Sequence, residues 1–177
     1  MMNLIQKFLS KDRTNKAHIR KNFSSYFFSL PEHQWIQESS INKAHFEKLF
    51  SHLPSGVLQA MMTRYPIVFI PSYLMNKNYK LGAVVSSTVV VFPHFQQLLM
   101  SERKSAVAYL AHELAFILLE LEGLNQDPLM AEIEADKFVC DLGLTFELEE
   151  LLLMLDETTE KRLRLTYVTI NHFKNNN

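Results

Sequence analysis

The chain has 177 residues, 47% of them apolar and 21% charged, with a net charge of −1. That length fits one domain with a sizeable core, and the lack of a basic excess excludes an ordinary nucleic-acid binder. A single cysteine, Cys140, excludes an internal disulfide and, in the apolar stretch Phe138-Val139-Cys140, reads as a small buried hydrophobe.

Met1-Met2-Asn3-Leu4-Ile5 is followed at once by Gln6 and Lys7, so no apolar leader segment is expected. No apolar run approaches the ~20 residues that a bilayer span needs, and the chain reads as soluble and cytoplasmic. Residues 1–30 are basic and aromatic. Lys7, Lys11, Arg13, Lys16, Arg20 and Lys21 read as solvated, and Phe23, Tyr26, Phe27 and Phe28 as the packing face of a short helix or arm. Helical spacing of Phe46, Leu49, Phe50 and Leu53 predicts a helix near 40–62, with Ser40 as N-cap and an interruption at Pro54 and Gly56. Ile67-Val68-Phe69-Ile70, between Pro66 and Pro71, predicts a strand. Residues 83–85 and 88–92 predict two more, joined at Ser86-Ser87 as a hairpin.

From there the chain reads as helical. One helix is expected over 101–122, capped by Ser101 and ended by Gly123. A second covers 128–142, with Asp127 as N-cap, Pro128 at the first helical position and Gly143 as terminator. Two more cover 146–155 and 157–173. The order gives an α+β class and one domain, 1–177. Its parts are an N-terminal helical part (1–60), a small sheet (61–95) and a helical core (100–175).

The chemistry-bearing segment is Ala111-His112-Glu113-Leu114-Ala115-Phe116. His-Glu-x-x-His on a helix sets two imidazoles four residues apart on one face, where they share a zinc ion, and its Glu takes a proton from the metal-bound water. Here the first His and the Glu are present, and Phe116 stands where the second His belongs. Downstream, Glu132 and Asp136 are four apart in Glu132-Ile133-Glu134-Ala135-Asp136, and so share a helix face.

With these residues, segment 105–143 resembles the gluzincin metallopeptidases: the soluble core of the CAAX-prenyl and heat-shock proteases, and the ImmA/IrrE type. The resemblance implies a zincin-like fold, a small sheet with a hairpin packed on a mainly helical domain. It implies His112 as first metal ligand, Glu113 as general base, Glu132 as third ligand and Asp136 as the partner that orients the ligand histidine. Zinc is the implied cofactor, weakened or lost through Phe116, because a phenyl ring has no lone pair to give. Glu113, Glu132 and Asp136 would then crowd together without a cation, and such a cluster takes up protons or finds a basic neighbour.

Three functions compete. The first is an inactive pseudoprotease that binds a protein or peptide, by strand addition at the sheet edge. The second is an active zinc peptidase with a substitute ligand. His94 is the foremost candidate and His172 another, whereas Glu120, eight residues from His112, is turned about 80° away. The third is a helical structural or regulatory domain without peptidase ancestry. His112 is then a satisfied core histidine and Glu132, Glu134 and Asp136 a solvated face. His18, His33, His45 and His52 carry no assigned role, and Trp35 reads as a packing anchor.

Overall fold

The structure, a computed structural model, describes residues 16–75, 87–124 and 127–175. It is mainly helical with a small sheet, which places it in the α+β class. The single three-part domain read from the sequence falls into two compact units, Met1–Arg103 and Lys104–Asn177. The predicted strand at 83–85 and its turn at Ser86 lie outside the described residues.

The N-terminal unit begins with α1 (Lys16–Ser29), then a 3-10 turn (Pro31–His33), α2 (Gln34–Gln37), α3 (Ser40–His52) and α4 (Ser55–Thr63). Phe27 is the hub of its core. Its ring lies 5.4 Å from Phe46, 4.9 Å from Phe50 and 6.2 Å from Phe69, and Phe23 meets Phe50 edge-on at 4.8 Å. Such offset and edge-to-face pairs add to the large area each ring buries. The cap of α3 is Ser39, one residue earlier than predicted, because its extended backbone lets its side chain accept from Asn42 N–H.

Strand β1 (Ile67–Pro71) runs parallel to β2 (Ser87–Val91), Phe69 opposite Val89. A parallel pair needs a crossover, and residues 72–86 supply it, beginning with the short helix α5 (Ser72–Met75). The midpoint of β1 is occupied on its outer side. Phe69 N–H donates to His33 Nε2 at 3.1 Å, and Phe69 C=O accepts from Trp35 Nε1 at 3.0 Å. In a parallel ladder both groups of one residue point the same way, so these side chains close the outer edge.

Helix α6 (Pro93–Leu99) follows β2 directly, where the sequence reading had placed no element. This explains the misplaced cap at Ser101. Its hydroxyl donates back to Leu98 C=O at 2.6 Å, and its carbonyl accepts from His45 Nε2 at 2.7 Å, so it closes α6.

The C-terminal unit comprises α7 (Ser105–Leu121), α8 (Pro128–Asp141), α9 (Thr145–Met154) and α10 (Thr159–Asn175). The predicted helix at 101–122 therefore starts four residues late. Gly123 ends α7 at φ +66° and Gly143 follows α8 at φ +79°, the left-handed geometry that favours glycine after a helix. Asp127 caps α8 by accepting from Met130 N–H at 2.9 Å, with Pro128 at the first position, as predicted. α7 packs against α8 and α9, and α10 against α8 and α9.

Candidate functional site

α7 carries His112 on a buried face, and α8 carries Glu132 and Asp136 one turn apart. Among the described residues these three meet. His112 Nε2 lies 3.0 Å from Glu132 Oε2, and its Nδ1 lies 3.1 Å from Asp136 Oδ1. A cation from α10, which the sequence reading did not name, completes the cluster. Arg164 forks onto Asp136 through Nε–Oδ2 and Nη2–Oδ1, both 2.8 Å, and reaches Glu132 Oε2 through Nη1 at 2.7 Å. Asp136 is 0% exposed and Arg164 6%, so these charges are sealed from water and must satisfy one another.

The charge states follow from the contacts. Burial alone would lower the His112 pKa, but hydrogen bonds to Asp136 and Glu132 outweigh it and push it up to about 9. Both ring nitrogens then donate to carboxylates. The 3.5 Å approach of Arg164 Nη2 to Nδ1 is a contact between two cations, not a hydrogen bond, and it opposes the rise. Burial pushes both carboxylates up, but their bonds to His112 and the guanidinium overcome this and hold Glu132 and Asp136 below the usual carboxylate range. Two cations and two anions thus balance within the cluster.

Glu113 is half-buried, and its pKa is raised, chiefly by burial. Phe116 is also half-buried, one turn beyond His112 on α7. His94 belongs to the N-terminal unit, on α6, exposed, with its ring 4.0 Å from that of Phe95 and tilted by 45°. His172 falls on α10 at a position whose side chain lies outside the described residues. Glu120 is exposed. Cys140 is buried, and burial pushes its thiol up to about 11, as expected of an inert core thiol.

As arranged, these donors do not fit a catalytic zinc. A metal between His112 and Glu132 would have to break into the contacts that Glu132 Oε2 makes with both His112 Nε2 and Arg164 Nη1, and would have only these two protein ligands. Among the described residues no group of three or more His, Cys, Asp or Glu side chains is set to hold a metal ion. Nor is any helix among them long and apolar enough to cross a membrane.

The burial pattern of α10 shows why Arg164 needs acceptors. On α10 the buried positions are Lys161, Arg164 and Val168, at i, i+3 and i+7, while Leu163 and Ile170 are exposed. Two basic residues on the inward stripe of a helix call for buried acceptors. Lys161 finds its own in Leu153 C=O at 3.4 Å and Leu155 C=O at 2.8 Å, closing the end of α9. Two of the unassigned histidines also have structural roles: His33 ties Phe27 C=O to β1, and His45 holds Ser101. No family model matches the chain, and comparisons with curated proteins and with solved structures return no match.

Proposed function

We propose that this chain is a catalytically silent protein on a metallopeptidase-like helical core, and that it works by binding a protein or peptide. The observation that carries this reading is the Arg164 guanidinium on Glu132 Oε2, the carboxylate that the resemblance makes a metal ligand. His112 lies beside Glu132 and Asp136 lies behind the imidazole, the arrangement the resemblance implies, and the cation they share is a guanidinium. Glu113 then has no metal-bound water to deprotonate.

Full-length protein from zinc-supplemented growth is the test. It should carry well under one zinc per chain, and Glu113→Gln should leave both its partner binding and any residual peptide cleavage unchanged. Stoichiometric zinc with cleavage lost in Glu113→Gln would overturn the reading in favour of an active peptidase. A second reading, a helical regulatory domain without peptidase ancestry, is favoured by the charge balance of the cluster, which is complete without any ligand.

A further inference from the structure

The pattern of sharing within the cluster has a mechanical meaning. Each of the two carboxylates on α8 is divided between an imidazole from α7 and a guanidinium from α10. Glu132 and Asp136 are one helical turn apart, and the arginine fork is wide enough to take both oxygens of Asp136 while its third nitrogen reaches Glu132. A lysine would present one compact charge and could not span the two. Glu160, exposed and 3.9 Å from Nη1, adds only a loose contact at the rim.

We propose that Arg164 is the built-in cation of the C-terminal unit: it fills in cis, permanently, the position between Glu132 and Asp136, and so joins α7, α8 and α10 as a bound ion would. Only the equation of this position with a peptidase metal rests on the function proposed above. The joining role stands on the contacts alone. Without the guanidinium, a fully buried Asp136 and a partly exposed Glu132 would be left with one imidazole to balance them, which is unfavourable chiefly for Asp136.

The test is chemical rescue in the full-length chain. Arg164→Ala should lower the melting temperature of the C-terminal unit by about 10 °C or more. Millimolar methylguanidinium should restore much of that loss saturably, with potassium chloride at equal ionic strength restoring none, and the unsubstituted protein should not respond. Arg164→Lys should melt between the two. If Arg164→Ala does not fold unaided, methylguanidinium added during refolding gives the same readout as recovered folded protein. Unchanged melting in Arg164→Ala, a loss that methylguanidinium does not reverse, or Arg164→Lys no better than Arg164→Ala would overturn the proposal. A zinc arm separates the two ideas. Rescue by zinc as well supports both, whereas rescue by methylguanidinium but not zinc upholds the built-in cation and counts against the peptidase-like position.

Discussion

Asp136 has no exposed surface and serves two cations at once, Arg164 through two bonds and His112 through one. Removing one partner of a buried ion pair costs far more than the pair contributes net, because the others stay buried and unbalanced. Asp136→Ala should therefore destabilise the C-terminal unit by about 3–5 kcal/mol, read from urea unfolding. Phe116→His, which completes the His-Glu-x-x-His spelling, should bind no more zinc than the unsubstituted chain in equilibrium dialysis, because Arg164 still holds Glu132. Zinc taken up stoichiometrically by that single variant would refute the point. That Glu132 and Asp136 share a helix face was legible from their spacing, whereas their meeting with His112 was expected from the resemblance alone. Arg164 was not, since its partner Asp136 is 28 residues away and no local rule selects that pairing. The sequence reading had the carboxylates either take up protons or find a basic neighbour, and the fold supplies Arg164.

At the scale of elements, local chemistry was readable and tertiary chemistry was not. Asp127 accepts from an N–H three residues on, and Pro128 and Gly143 act within one turn, so the limits of α8 followed from the letters alone. Asp127→Ala should cost about 1 kcal/mol of stability in the C-terminal unit, measured by the same urea unfolding, with no change in the cluster. Ser101 was misread because its carbonyl belongs to His45, 56 residues earlier, which no cap rule foresees. The pairing of β1 with β2 was hidden for a related reason. Apolar runs announce strands but not their partners, and a parallel pair is settled by the crossover and not by a turn. The closure of β1 by His33 and Trp35 also moves any docking surface away from that edge, so the proposed partner has to find another face.

For the whole molecule, the net charge of −1 conceals a division. Met1–Arg103 holds twelve Lys/Arg against five Asp/Glu, a net of +7, and Lys104–Asn177 holds six against fourteen, a net of −8. The basic excess missing from the whole chain is therefore present in its first unit. Each unit also holds a buried histidine whose pKa is shifted, and the two shifts have opposite signs. His33 accepts Phe69 N–H, which requires a neutral ring, and burial lowers its pKa to about 4, against the pull of its bond to Phe27 C=O. A depressed pKa means stability that is complete above the unfolded value of about 6.5 and drains as the pH falls towards 4. His112 has the opposite sign: its contribution is complete below about 6.5 and drains as the pH rises towards 9. Glu113, raised by burial, also favours the C-terminal unit at lower pH, and Glu132 and Asp136 lose their contribution only as the pH falls into and below the usual carboxylate range. Near pH 5, then, the fluorescence of Trp35, the single tryptophan, should report loosening of the N-terminal unit. Amide protection in α7, α8 and α10, taken relative to the intrinsic exchange rate at each pH, should stay as high as at neutral pH. Near pH 9 the order should reverse, with that protection falling in those helices while Trp35 is unmoved. Units that weaken together in one direction of pH would show that these two histidines do not govern the response.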